Sequence, residues 1–456
     1  MVQRNHSIDM IHGPLAGKII LFALPLTLTT LIQQLFNTIG AVIVGRFAGP
    51  DALAAVGSCS YMVNLFINFF VGLSMGANIT ISNAFGSGQT DQVKKGVHSS
   101  IAFSALCGIA LAIPAVVFAP ALLRMMSVPE NVFDMASLYI RVYLLGLPAS
   151  VVYNFGAAVL RAQGDTQRPL YYLLFSGALN ILLSLVFVVV CGMTTDGVAL
   201  ASDISQYLAA GLVIRCLIKE TGPLHLNLRQ LTLDKKSVIG IVRMGLPTGI
   251  ENALYAISNM TVQSAINSFG SNVIAGCSAA SNLHALLCIP SSSLSQAVLT
   301  FSSQNRGARK FRRIDRALVL GLLYNAAITS VLTLGGLFAA RTLLSIYVGN
   351  ETAVIECGVE QMFIVWPFNV LCCLMTTMAS VLRGLGYSVL PLAVSILGTC
   401  GLRILWVFTV LPVFGTTAAL YAVWPASWIV TIIALTIIFF VVRHKVYPKD
   451  IAQQEL

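Results

Sequence analysis

Apolar runs of roughly 20 to 30 residues recur along this chain, each long enough to cross a hydrocarbon layer about 30 Å thick as a helix. They lie near residues 16–44, 52–82, 94–120, 131–160, 168–191, 197–218, 238–267, 271–303, 314–340, 356–383, 388–411 and 415–442. Lipid offers no partner to a free backbone amide or carbonyl, so segments at this depth must satisfy their own hydrogen bonds, as a helix does. Spanning strands would alternate apolar and polar over about ten residues, and these runs do not. The expected fold class is therefore an all-α polytopic membrane protein of twelve transmembrane helices.

The pattern is also written twice. The stretch from Leu24-Pro25 to Gly86 returns from Leu246-Pro247 to Gly307, with Phe47 on Phe269, Ala54 on Ala275 and Leu73 on Leu294. Further on, LRAQGD (Leu160 to Asp165) returns as LRGLGY (Leu382 to Tyr387), and Pro169 returns as Pro391. Six runs per copy bring the chain back to the face it entered from. The repeat is thus parallel, with its pseudo-two-fold axis along the membrane normal. The expected organisation is an N-terminal six-helix lobe (1–218), a polar cytoplasmic linker (219–237), and a C-terminal six-helix lobe with a short cytoplasmic tail (238–456). A duplication of this size in an apolar chain points to a two-lobed transporter with its binding cavity between the lobes. Pro25, Pro148, Pro247, Pro290 and Pro367 are expected to bend the helices that contain them.

Composition agrees: 57% of the 456 residues are hydrophobic and 10% charged, against about 25% charged in a soluble domain. The net charge of +10 invites a nucleic-acid reading, but its distribution excludes one. With the N-terminus inside, all of the 27 Lys and Arg residues except Arg46, Arg124, Arg341, Arg141 and Arg403 fall in cytoplasmic segments or at adjoining helix ends. That bias fixes both termini in the cytoplasm. The ten cysteines lie mostly in apolar runs without metal-ligand spacing, and Cys372-Cys373 would face different sides of one helix, so they read as small hydrophobes. The first run is too long for a cleaved signal peptide.

Several elements carry a resemblance to a known family. LPLTLTTLIQQLFNT, VGRFAGPDALAAVG, QSAINSFGSNVIAG, ALTFSSQNRGARKFRRI, the two LRxxG elements and CGLRILWVFTV follow one another in order. Together they resemble the multidrug and toxic compound extrusion (MATE) transporters, in the DinF-like bacterial branch. The resemblance covers nearly the whole chain. It implies a V-shaped pair of bundles around a central cleft, in a bacterial cytoplasmic membrane. It also implies a monomeric antiporter that exports cationic or amphipathic compounds in exchange for inward H⁺ or Na⁺, with no other cofactor.

The chain departs from that family where the coupling ion is usually held. Relatives commonly carry an Asp in the first helix and another in the fifth. Here Gly40 stands three residues past Asn37, and Ser184 four past Asn180. Only Asp203, in the sixth run, and Glu251, in the seventh, are acids well inside spans. At 1.5 Å per residue, Gly40 lies roughly 7–8 Å below the outer end of its helix, and Ser184 and Asp203 about 9 Å below theirs. The shared depth makes Asp203 the candidate replacement, with Asn37, Asn180, Ser184 and Gln206 as polar partners and Na⁺ as a transient ligand. The alternative is an Asp203 that bonds locally near the outer surface.

Glu251, four residues past Pro247, is the candidate acid of the substrate cavity, either facing it or satisfied by Asn252, Asn282 or His284. His284 is a lesser titratable candidate. Arg141 and Arg403 are expected to pair with carbonyls or acids. Met62, Phe66, Phe69, Tyr153 and Met260 either line a permissive cavity or pack the bundle. A lipid-precursor flippase on the same scaffold is the competing reading, but it would need more intramembrane cations than these. A membrane enzyme lacks any convergent catalytic set, and a repeat around a midplane site disfavours a channel.

Overall fold

The computed structural model describes residues 7–126 and 128–447. Among the described residues the structure is helical, with no strand. The spans are α1 (Leu15–Ala48), α2 (Pro50–Gly86), α3 (Thr90–Met125), α5 (Gln167–Val190), α6 (Thr195–Lys219), α8 (Ser271–Gly307), α9 (Phe311–Phe338), α10 (Thr352–Gly384), α11 (Val389–Phe414) and α12 (Thr417–Val446). Between α3 and α5, α4 is a broken span, Glu130–Leu145 followed by Leu147–Gln163, bent by 43°. Between α6 and α8 lies α7 (Lys235–Asn267), whose 33 residues make a helix about 50 Å long. The basic tail residue Lys449 lies outside the described residues.

The repeat is visible in backbone geometry. Gly49 (φ 95°, ψ 172°) precedes α2, and Gly270 (φ 96°, ψ 170°) precedes α8. A positive φ is accessible to glycine without steric penalty, which is why both helices start where a glycine stands. Side chains at the outer faces of the spans are large and apolar, among them Phe118, Leu334, Leu397 and Phe408. Such surfaces suit lipid rather than water.

The chain forms two compact units. One comprises residues up to Asp9 and Pro25–Gly249, the other Met10–Leu24 and the residues from Ile250 onward. Each of α1 and α7 therefore changes unit near its own proline, Pro25 or Pro247.

In the first unit the opening half of α7 packs on α2 through small residues. A Cβ on Gly72 would strike the backbone at Thr248 and Gly249, and one on Gly76 the backbone at Ile241 and Gly245. Membrane helices gain close van der Waals contact in this way, lacking a hydrophobic drive to associate. Gly177 of α5 likewise leaves room for the ring of Phe36 on α1. The segment before α7 is tied to α3: Ser99 Oγ donates to the Thr232 carbonyl (3.2 Å), and His98 Nε2 accepts from the Asn227 amide (3.1 Å). Asp234 caps α7 by accepting from the Ser237 amide and hydroxyl, which holds its carboxyl below the ordinary carboxylate range.

The second unit is built around Trp366, Tyr421, Trp428 and Leu382. Phe22 of α1 meets Phe301 of α8 edge to face, with ring centroids 5.9 Å apart. Asn305 and Arg313 donate to the carbonyl of Met10.

Candidate functional site

The two intramembrane acids occupy opposite electrostatic situations. Asp203 of α6 belongs to the first unit and is 5% exposed. Its carboxylate packs against the backbone of Gly146, at the break in α4; a methyl group on Gly146 would collide with Asp203 Oδ1. That oxygen has no hydrogen-bond partner among the described residues. Nor does any Lys, Arg or His there form an ion pair with Asp203. The surroundings are phenolic. Tyr139 and Tyr143 of α4 stack with centroids 5.8 Å apart, and both lie close enough to interact with the Asp203 charge. Gln206 is within hydrogen-bonding reach of Tyr143. Tyr207 donates its hydroxyl to the carbonyl of Leu145 at 2.9 Å.

Among the described residues no hydrogen bond joins Asp203 to Asn180, Ser184 or Asn37. Asn180 Nδ2 of α5 donates to Ser202 Oγ at 3.1 Å, so Ser202 and not Asp203 faces α5. Successive helix residues point about 100° apart, and that one step turns Asp203 toward α4. Ser184 is buried with an unpartnered hydroxyl, Asn37 is exposed, and no heavy atom approaches the place where a Cβ on Gly40 would sit.

Glu251 of α7, in the second unit, is fully compensated. Arg383 Nη2 of α10 donates to its Oε2 at 2.6 Å, and Ser395 Oγ of α11 donates to its Oε1 at 2.8 Å. Ser395 opens a wide π-helical turn, Ser395–Gly401, of the kind that often accompanies a functional position. Neither partner was among those the sequence offered for Glu251. Arg383 reads as a basic residue at a helix end, and only its place in the repeated LRxxG element sets it apart.

A second buried polar group surrounds Arg403, which is 4% exposed. It donates to the side-chain amide carbonyl of Asn259 (Oδ1, 2.8 Å) and to Ser427 Oγ (3.2 Å), both neutral oxygens. Arg141, by contrast, is exposed. His284 Nε2 pairs with Asn369 Oδ1 at 2.9 Å, and its ring stacks on Trp428 at 6.2 Å with 7° between planes. Of the candidate cavity residues, Met62 is buried in the core of the first unit and Phe66 packs against it. Tyr153 is buried and donates to the Pro169 carbonyl. Asn252 is half-buried, and Met260 is 59% exposed. No group of three or more His, Cys, Asp or Glu side chains among the described residues could hold a metal ion.

Comparison with known proteins accords with this architecture. The MatE family model matches residues 25–186 and 247–409, once in each copy of the repeat. The chain is 29% identical over 357 residues to the probable multidrug resistance protein YoeA of Bacillus subtilis, covering 76% of this chain and 77% of that one. It is 24% identical over 417 residues to the probable multidrug resistance protein NorM of Thermotoga maritima, covering 87% and 86%. A solved structure described as the outward-facing conformation of a multidrug resistance MATE family transporter superposes with a TM-score of 0.87 over 96% of this chain and 97% of that one, at 21% identity. The chain belongs to the MatE family, whose members are membrane transporters and not enzymes.

Proposed function

We propose that this protein is a secondary antiporter that exports cationic or amphipathic organic compounds in exchange for H⁺ or Na⁺. It would work as a monomer in a bacterial cytoplasmic membrane, with both termini inside, by alternating access of its two lobes. The relatives named as probable multidrug resistance proteins support the substrate class. Asp203 carries the coupling cation.

One observation supports that assignment above the others: Asp203 is a buried acid with an unpartnered oxygen and no counter-charge, whereas Glu251 already holds Arg383. An ionised carboxylate without a partner costs several kcal/mol in a low-dielectric interior, so Asp203 calls for a companion that arrives and leaves. A proton or a sodium ion meets that need, and a permanent guanidinium does not. Phe66, Asn252 and Met260, which keep exposed or half-exposed surface, are the remaining candidates for contact with substrate.

The test is export of a fluorescent organic cation from proteoliposomes, with Na⁺ and H⁺ gradients imposed and dissipated one at a time. Wild-type export should follow one of the two gradients, and Asp203→Asn should lose that dependence. Full gradient-driven export by Asp203→Asn would remove Asp203 from the mechanism. Flux indifferent to both gradients would favour a channel, and movement of a lipid-linked substrate alone a flippase.

A further inference from the structure

The residue assigned to coupling sits on a joint. In α4 the helix breaks between Leu145 and Leu147, with Gly146 at the break and Pro148 just beyond it. Proline has no N–H to return to the carbonyl one turn earlier, which here belongs to Leu144, and so weakens the ladder locally. Two residues of α6, one turn apart and therefore on one face, close on that break. Asp203 packs its carboxylate against Gly146, where only a glycine leaves it room. Tyr207 sends its hydroxyl to the Leu145 carbonyl at 2.9 Å. The half of α4 before the break carries Tyr139 and Tyr143, both near enough to interact with the Asp203 charge. Cys59 of α2, beside Tyr139, is a further titratable group at this corner, its Sγ donating to the Ala136 carbonyl at 3.4 Å.

We infer that Tyr207 is a positioning residue for ion coupling: it holds the α4 break against Asp203, so that arrival of a cation at that carboxylate changes the bend of α4. The inference rests on the coupling role proposed above for Asp203. Physically, a bare carboxylate and a neutralised one make different demands on the Gly146 backbone and the two tyrosines. A helix already missing ladder hydrogen bonds is the element most able to respond. Tyr207 is mostly exposed (53%) and contributes little packing, so its hydroxyl is its main tie to α4.

Hydrogen–deuterium exchange of the full-length protein tests this directly across residues 143–152. Asp203→Asn stands in for the neutralised acid and allows comparison at a single pH. In the wild-type background Asp203→Asn should change exchange across the break, and in a Tyr207→Phe background it should not. Tyr207→Phe keeps the ring and loses one hydrogen bond, so export should fall roughly two- to tenfold. Binding of the coupling cation by the purified protein should persist in that variant, which also shows it to be folded. A Tyr207→Phe protein with wild-type export and an undiminished response to Asp203→Asn would overturn the inference while leaving Asp203 as the coupling acid. An Asp203→Asn protein that still binds and uses the cation would overturn the coupling role itself. Gly146→Ala supplies a second reading, because its methyl group must displace the Asp203 carboxylate. It should weaken cation binding, and unchanged binding would contradict the packing on which the inference stands.

Discussion

The pairing of Glu251 with Arg383 makes a quantitative prediction about which changes the second unit can survive. The two side chains are 6% and 11% exposed, and their charged atoms stand 2.6 Å apart. With charge centres about 4 Å apart and an effective dielectric near 20, their attraction is about 4 kcal/mol. Desolvation offsets much of that in the intact pair, but removing one member strands the other. A stranded buried charge destabilises by about 3–5 kcal/mol. Arg383→Met should therefore be severely destabilising, because it leaves the Glu251 carboxylate with Ser395 as its one remaining partner among the hydrogen bonds described above. Glu251→Gln should be somewhat milder, since the amide oxygen can still accept. The double variant Glu251→Gln/Arg383→Met should be more stable than Arg383→Met alone. Unfolding in detergent can be followed through thiol labelling, because Cys277 and Cys373 of this unit are free and buried. Taking about 2–4 °C per kcal/mol for a domain of comparable size, Arg383→Met should lower the midpoint by roughly 6 °C or more. A midpoint within a degree or two of wild type would refute the reasoning, as would a double variant whose loss equals the sum of the two single losses.

Two further outcomes follow from the same geometry. Gly76→Ala places a methyl group against the α7 backbone at Ile241 and Gly245, where no flexible side chain can give way, so the yield of folded protein on size-exclusion chromatography should drop sharply. His284→Phe keeps the stack on Trp428 but leaves the Asn369 carbonyl oxygen only the weak thiol donor of Cys288 (3.7 Å), a loss of about 1 kcal/mol in thermal stability. The pH profile of export should be unchanged in that variant, and a shifted profile would give His284 a part in coupling.

Much of the fold was legible because the bilayer imposes it. A run that must bury its own backbone polar groups over about 30 Å can hardly be anything but a helix, and its ends are set by turn residues visible in the sequence. The run at 271–303 is the helix Ser271–Gly307, and that at 168–191 is Gln167–Val190. Pro148 marked a bend in α4, although the break itself falls at Gly146. Side-chain partnership was far less legible, because it depends on helix rotation rather than depth. Asp203, Asn180 and Ser184 lie at one level by residue counting, yet Ser202 takes Asn180 and Asp203 turns to α4. Arg383 reads as a helix-end cation and pairs with an acid 132 residues away. Depth can be counted along a single helix, whereas azimuth is fixed only when helices pack.

The copies of the repeat show why the two acids should do different work. Pro25 aligns with Pro247, so Thr29 stands where the second copy has Glu251, and Arg161 stands where it has Arg383. In the first copy Thr29 Oγ1 donates to the carbonyl of Pro25 (2.7 Å), and Arg161 Nε to that of Ala157 (3.1 Å), each within its own helix. The second copy instead ties α7 to α10 with an ion pair. A bound ion can shift a conformational equilibrium only by the difference in its affinity for the two states. A tenfold to hundredfold difference amounts to roughly 1.4–2.7 kcal/mol. That is too little to part Glu251 from Arg383, which takes about 3–5 kcal/mol. It is comparable to the one hydroxyl–carbonyl hydrogen bond that ties α6 to the α4 break, worth on the order of 1 kcal/mol. On the coupling role proposed for Asp203, the uncompensated acid of the first unit is thus the one whose occupancy would be convertible into movement, while Glu251 of the second is already neutralised by Arg383.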